Sequence, residues 1–289
     1  MKMVTLLSGN DMPIIGLGTF KLRGRDLIHK CLQTALEAGY RSFDTAAVYK
    51  NESDIGDCLI ELLPKYGLTR NDIFLTSKLA PKDQGANRCR EACLTSLTNL
   101  KTEYLDLYLI HWPGTQGRKP GDQDNPRLRR DSWRDMETLY KEGKLKAIGV
   151  SNFEQRHLID LLESCEIQPH VLQTEHHPHL VQSSLVEFCR HHQIHFQAYA
   201  SLGTTTDNNK LLTDPTVISI AKNNSKTTAQ ILLKWAIQQD IGVIPKSSNP
   251  DHIKSNMDLF SFELSKEDLA RISGLDSQHH YCWDPRGIL

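Results

Sequence analysis

The sequence has no apolar run approaching the ~20 residues that a membrane-spanning helix requires. It has no surplus of either charge, since 34 lysines and arginines face 35 aspartates and glutamates. That balance gives neither nucleic acid nor an anionic membrane an electrostatic reason to bind. The opening residues Met1 to Leu7 lack a long apolar core and a cleavage site, so no secretory signal is expected and a cytoplasmic location is. The seven cysteines (31, 58, 89, 93, 165, 189 and 282) are odd in number, scattered, and include no CxxC pair. Reduced thiols are expected rather than a disulfide framework. Cys89 and Cys93 share a helix face but have no nearby histidine or aspartate to complete a metal set. Histidines 176, 177, 179, 191, 192, 195, 279 and 280 are dense, yet no cysteine or carboxylate set stands near them at ligand spacing. No metal is expected. No low-complexity segment and no shift of composition marks a boundary, so residues 1–289 read as one domain.

What the chain does have is regular alternation. Val4 to Leu7 and Met12 to Ile15 flank the turn residues Ser8-Gly9-Asn10-Asp11, which predicts a β-hairpin. Ile14 to Phe20 begins the first buried strand, and its Gly16 and Gly18 permit close approach of a backbone or ligand. Leu27, Ile28, Cys31, Leu32, Ala35 and Leu36 then recur at helical spacing up to Gly39. Further strands are expected over 41–44, 73–78, 105–111, 147–150, 171–174, 194–199 and 241–244. Helical patterns lie between them, including one capped near Asp131 or Ser132, and a last helix is capped by Ser265. Residues 114–130 read as a longer polar loop. Continuous apolar strands suit a parallel sheet covered on both faces. Eight such strands, each followed by helix, close most simply into a single α/β (β/α)8 barrel, its bottom closed by the N-terminal hairpin. A doubly wound open sheet is the rival.

In such a barrel the chemistry lies at the C-terminal ends of the strands. Asp44, Lys78, His111, Ser151 and Asn152, Gln173 and Glu175, Tyr199, and Lys246 and Ser247 stand at successive ends, and the loop after Asp44 presents Tyr49. An Asp–Lys pair alone is an ordinary structural ion pair. A lone histidine beside Trp112 is an ordinary packed one. Their coincidence at one mouth is the informative feature. A phenol with its usual pKa of ~10 is a poor acid at neutral pH. An ammonium beside it stabilises the phenolate and lowers that pKa, so Lys78, held by Asp44, is expected to do this for Tyr49. His111 is suited to donate a hydrogen bond to a substrate oxygen. The set can protonate a carbonyl oxygen while hydride arrives from elsewhere. No side chain delivers hydride, so a nicotinamide or flavin is required.

These stretches resemble the aldo-keto reductases, in their short-loop, prokaryotic-like carbonyl or glyoxal reductase form. The likeness rests on Gly16-Leu17-Gly18-Thr19, Phe43-Asp44-Thr45-Ala46 through Tyr49-x-Asn51-Glu52, Thr76-Ser77-Lys78, and Leu109-Ile110-His111-Trp112-Pro113. It continues through Gly149-Val150-Ser151-Asn152-Phe153, Gln173-x-Glu175-x-His177-Pro178 and Ile244-Pro245-Lys246-Ser247. The resemblance implies a (β/α)8 barrel that binds NADPH in extended form and reduces small aldehydes, α-keto aldehydes or ketones. By it, Tyr49 is the general acid, Asp44 and Lys78 tune it, and His111 orients the carbonyl. Ser151, Asn152 and Gln173 would hold the nicotinamide carboxamide, with Tyr199 stacked on the ring. Gly18, Thr19 and Leu202 would lie along the cofactor. Lys246, Ser247, His252 and Asn256 would meet its phosphates and adenine. Phe20, Val48 and Trp112 would wall the substrate pocket, with Trp283 a further candidate.

The sequence also departs from that pattern. His252 stands where the family usually carries an arginine on the 2′-phosphate, and the segment Tyr199-Ala200-Ser201-Leu202-Gly203 lacks a usual serine and proline. A small-molecule carbonyl substrate and a monomer are expected. The alternative is a catalytically weak, NADP(H)-binding regulatory or structural barrel. A lyase or isomerase using Lys78 for a Schiff base is a third reading.

Overall fold

The computed structural model describes residues 2–203 and 210–289. A hairpin comes first, β1 (Met3–Thr5) pairing antiparallel with β2 (Asp11–Pro13). The pairing is shorter than the sequence suggests, three residues on each side. Gly9 turns it with φ 81°, a conformation that costs glycine little.

Eight strands follow: β3 (Leu17–Gly18), β4 (Ser42–Asp44), β5 (Phe74–Leu79), β6 (Leu107–Ile110), β7 (Ile148–Ser151), β8 (Val171–Glu175), β9 (His195–Tyr199) and β10 (Gly242–Val243). They pair in parallel, each with its sequence neighbour. The two ends of this order also meet. Gly16 N–H donates to Val243 O at 2.9 Å, Val243 N–H to Ile14 O at 2.9 Å, and Gly18 N–H to Pro245 O at 3.1 Å. A Cβ on Gly18 would stand 2.6 Å from Ile244 O. The close approach expected at this glycine is therefore to the seam between first and last strands.

Helices α1 (Arg25–Glu37), α2 (Glu52–Lys65), α3 (Arg88–Asn99), α4 (Asp124–Lys141), α5 (Gln155–Leu162), α6 (Ser183–His191), α7 (Pro215–Asn223), α8 (Thr228–Ile237), α9 (Pro250–Met257) and α10 (Lys266–Ser273) accompany the sheet. The expected caps are present where the side chain fits. Ser265 accepts from Asp268 N–H, and Thr227 exchanges bonds with Gln230.

One element differs from expectation. The stretch read as a polar loop up to Arg130 is helical from Asp124. Pro126 falls in the first turn, where its missing N–H costs nothing. Arg127 bridges Asp124 and Asp131, and Arg134 bridges Asp131, all at helical spacing. Such pairs add only about 0.3–0.5 kcal/mol each. They nevertheless turn a composition that looked like loop into a solvated helix face.

The main apolar core includes helix residues such as Leu32, Leu59, Trp133 and Trp235 packed with strand residues such as Phe43, Ile110 and Val150. A separate cluster joins Leu6 and Met12 of the hairpin region to Phe74, Leu107, Leu109, Ala147 and Val171. Among the described residues no helix is long and apolar enough to cross a membrane.

Candidate active site

β4 ends at Asp44, which is buried. The chain then turns through a short 3-10 helix, Ala47–Tyr49, and Lys50 takes φ 56°. Asn51 fixes this turn. Its Oδ1 accepts from Thr45 Oγ1 at 2.7 Å, and its Nδ2 donates to the carbonyls of Thr19 and Leu22 at 3.0 and 3.2 Å. Glu52 opens α2 and accepts from Ser77 Oγ on β5 at 2.6 Å. The segment Tyr49 to Glu52 is thus wired to two neighbouring strands, which points the phenol into the barrel mouth.

Lys78, on β5, is fully buried. A buried ammonium is costly unless every proton finds an acceptor. Here Nζ donates to Asp44 Oδ1 at 2.5 Å, to Thr45 O at 2.9 Å and to the Tyr49 hydroxyl at 3.3 Å. The other oxygen of Asp44 accepts from Gln173 Nε2 at 2.8 Å, across the barrel from β8. Burial favours the neutral amine, but Asp44 and Tyr49 outweigh it and hold the Lys78 pKa above its usual value.

The effect on Tyr49 differs from expectation. Lys78 does pull the phenol down, but burial acts more strongly, aided by the negative charge of Asp44, and the net pKa lies above the ordinary value. Tyr49 is therefore a fully protonated donor at neutral pH, and Lys78 keeps its proton more transferable than burial alone would leave it.

The His111 ring lies 5.6 Å from that of Tyr49, edge to face. Burial, helped by repulsion from Lys78, lowers its pKa to about 3. It is a neutral imidazole, with Nδ1 buried and unpartnered among the described residues. The Phe20 ring lies 5.1 Å from Tyr49 on the other side. Phe20 and Val48 are exposed at the mouth, and Trp112 meets Trp283 edge-on at 6.3 Å.

Further round the rim, Asn152 adopts φ 63°. Its Nδ2 donates to His111 O at 2.9 Å and to Ser151 Oγ at 3.1 Å, and its Oδ1 accepts from the Tyr199 hydroxyl at 2.5 Å. Gln173 spends its amide protons on Asp44 and on Gln197 Oε1. Gln197 and the Thr45 carbonyl are site members that the sequence reading missed. Gln197 had a readable signal, since it stands two residues before Tyr199 on the same face of β9. A backbone acceptor has none.

Of the other candidates, Thr19 is bonded to this centre. Thr19 Oγ1 donates to Asp44 O at 2.8 Å. Lys246 and His252 are exposed, Ser247 and Leu202 are half-buried, and Asn256 is buried on α9. Asn249 caps α9 by accepting from Asp251 N–H at 2.8 Å. Lys246, Ser247 and His252 therefore flank a helix N-terminus, a setting that suits an anion. All seven cysteines are free. Among the described residues no group of three or more histidines, cysteines or carboxylates could hold a metal ion. His176 instead stacks on Trp235 at 5.0 Å, and His177 contacts Glu175 at 3.0 Å.

A parallel sheet joined end to end, with a buried Asp–Lys–Tyr relay and a neutral imidazole at its C-terminal mouth, defines a barrel oxidoreductase. The profile of the aldo/keto reductase family matches residues 14–277, and the chain belongs to that family. It is 40% identical to the glyoxal reductase of Bacillus subtilis, covering 99% of this chain and 97% of that protein. It is also 40% identical to aldo-keto reductase family 1 member A1-A of Danio rerio, covering 96% and 90%. Among solved structures, the aldose reductase of Schistosoma japonicum superposes with a TM-score of 0.88 at 37% identity, covering 97% and 94% of the two chains.

Proposed function

We propose that the protein reduces small aldehydes, α-keto aldehydes or ketones to alcohols, with NADPH as reductant and Tyr49 as general acid. The observation that carries this reading is the buried relay in which all three protons of Lys78 are committed to Asp44, the Thr45 carbonyl and the Tyr49 hydroxyl. When bound, the nicotinamide supplies the hydride that no side chain can. The protein's own part is to hold the carbonyl and give it a proton. His111, being neutral, donates one N–H to the carbonyl oxygen and polarises it. Tyr49 then passes its proton to that same oxygen as negative charge develops there. Lys78 stabilises the phenolate left behind, and Asp44 keeps Lys78 charged.

Ser151, Asn152 and Gln173 would hold the nicotinamide carboxamide and Tyr199 would face the ring. Gly18, Thr19 and Leu202 would lie along the cofactor. Lys246, Ser247, His252 and Asn256 would take the phosphate and adenosine end. The residues present fit such a group, because the positively polarised start of α9 opens beside Lys246 and His252. Phe20, Val48 and Trp112 would wall the substrate. The same reading takes residues 1–289 as one monomeric, cytoplasmic barrel domain. Its floor would be stopped by the N-terminal hairpin, which the contacts of Leu6 and Met12 with strand residues support.

The test is NADPH and NADH oxidation over a panel of reactive aldehydes, run with Tyr49→Phe alongside. The variant is expected to lose at least about a hundredfold in kcat while binding NADPH as the native protein does. Native turnover retained by the variant would remove Tyr49 from its role. A protein that binds NADPH but leaves every aldehyde untouched would be the regulatory barrel instead.

A further inference from the structure

The mouth of the barrel is crossed by the chain after α10, and both sides of the crossing are tied down. One tie is Glu175, at the end of β8, in register with Tyr199 on β9 and only 2% exposed. Its Oε1 accepts from Tyr281 N–H at 2.6 Å and Cys282 N–H at 3.2 Å, with His177 Nε2 at 3.0 Å. Its Oε2 meets Cys282 N–H at 3.3 Å and His280 Nδ1 at 3.1 Å. Burial pushes this carboxyl up, yet its donors together hold its pKa below the usual range. The other tie lies past the crossing. Arg156 Nη2 donates to the carbonyls of Arg286 and Ile288 at 2.6 Å each, and Arg129 Nη1 donates to Leu289 O at 2.6 Å.

Between the ties stands Trp283. It is 83% exposed, yet its ring meets Trp112 edge-on at 6.3 Å. Trp112 directly follows His111, whose ring lies 5.6 Å from that of Tyr49, so the crossing segment reaches the surroundings of the proton donor through Trp112. An indole so exposed at an aromatic-lined mouth is apolar surface awaiting a cover.

We propose that Glu175 is a positioning residue for the substrate pocket. Its carboxylate pins the Tyr281 and Cys282 backbone, which sets Trp283 opposite Trp112 as a wall that favours carbonyl substrates with an aromatic or bulky apolar tail. This rests on the reading of the site as a carbonyl reductase. It adds a selection rule that the proton relay does not contain. Neither Asp44, Tyr49, Lys78 nor His111 touches Glu175 by a hydrogen bond among those described, so the clamp and the chemistry are separable.

The experiment compares kcat and KM for methylglyoxal and for 2-naphthaldehyde at saturating NADPH. Glu175→Gln keeps the shape but replaces one acceptor oxygen with an amide NH2, leaving a single uncharged oxygen for the Tyr281 and Cys282 N–H groups and the two histidines. The KM for naphthaldehyde is expected to rise roughly fivefold to tenfold more than that for methylglyoxal, the scale of one lost aromatic contact. Trp283→Ala should give the same selective rise, and the double variant should be no worse than the worse single one. Arg156→Gln, at an exposed position, loosens the other tie and should shift the ratio the same way. An equal rise for both aldehydes in Glu175→Gln, or a shared fall in kcat, would mean general damage and overturn the proposal. If Glu175→Gln does not fold, an unchanged ratio in both Trp283→Ala and Arg156→Gln overturns it instead. If the native protein reduces neither aldehyde, the reductase reading fails by itself. The clamp is then read from amide hydrogen exchange at Tyr281 and Cys282. Protection lost in Glu175→Gln supports the clamp, and protection retained in it refutes the clamp.

Discussion

Lys78 has three protons and three acceptors, and that arithmetic explains why a fully buried ammonium is tolerable. Half of this was legible in the chain. Asp44 and Lys78 announce themselves as charges ending apolar strands. The Thr45 carbonyl could not be read, because every residue has one, and Gln197 was legible only through its place two residues before Tyr199 on β9. The balance at Tyr49 was also misjudged, because burial depends on what packs around the ring and a sequence does not list that. His111 yields a sharp expectation. With its pKa at about 3, the ring is neutral throughout the ordinary range. A plot of kcat/KM against pH should show no inflection near the usual imidazole value of ~6.5. The acid, Tyr49, must be protonated, and its pKa is raised. Activity should therefore hold across neutral pH and fall only in strongly alkaline solution. A break near ~6.5 that disappears in His111→Asn would contradict this. At the far end of the proposed cofactor site, His252 is exposed beside the start of α9. An imidazole offers a phosphate at most one N–H at a time, whereas a guanidinium is always charged and binds it through two bonds. His252→Arg should tighten NADPH about tenfold or less and leave NADH nearly unchanged. Equal tightening of both in a fluorescence titration would show that position 252 does not read the 2′-phosphate.

Elements were legible where apolar periodicity is strong and obscure where charges carry the helix. α1 and α7 fall where Leu27 to Leu36 and Pro215 to Asn223 predict them. α4 begins at Asp124, seven residues before the predicted cap at Asp131, because its first turns have no apolar stripe to betray them. The packing between elements is equally silent in the sequence. Gly56 lies in the middle of α2, where alanine would ordinarily be preferred by about 1 kcal/mol. A Cβ there would stand 2.6 Å from Asn99 O and 2.7 Å from the Leu100 carbonyl carbon, at the end of α3. Both are backbone atoms that cannot swing aside. Gly56→Ala should lose about 1–3 kcal/mol from overpacking, which exceeds the propensity gain. Urea unfolding should show a lower midpoint with an unchanged slope. Gly121→Ala, with nothing within 4 Å of its Cβ, is the control and should stay within about 0.5 kcal/mol. A midpoint raised by Gly56→Ala would mean that the two helices can part at no cost.

At the scale of the whole molecule, alternation of strand and helix was enough to predict eight parallel strands in chain order, which the pairings bear out. The seam was not legible, because nothing in Ile14 to Gly18 names Val243 and Pro245 as its partners. Nor did the histidine clusters reveal their purpose. The clusters read as solvated or packed groups rather than metal ligands, and which of the chain's histidines pack, inside the clusters (His176) or outside them (His157, His170), was not legible. His157 Nδ1 accepts from Glu154 N–H at 3.0 Å, and His170 Nδ1 accepts from Ile148 N–H at 3.0 Å. A ring nitrogen that accepts a backbone bond cannot also take a proton. Burial lowers the pKa of His157 to about 4, of His170 to about 4 and of His176 to about 3. The sign follows directly. Below ~6.5 the unfolded chain protonates these rings, while the folded protein keeps them neutral until about pH 4. The unfolded state binds more protons in that window, so stability is fully present above it and is lost as pH falls through it. The melting temperature should drop steeply between roughly pH 6.5 and pH 4, with a slope equivalent to more than one proton. Calorimetry across that range measures it. Replacing His170 with glutamine, which can still accept from Ile148 but does not titrate, should flatten the slope by about one proton. A slope left unchanged by that substitution would show that His170 is not a source of the acid sensitivity.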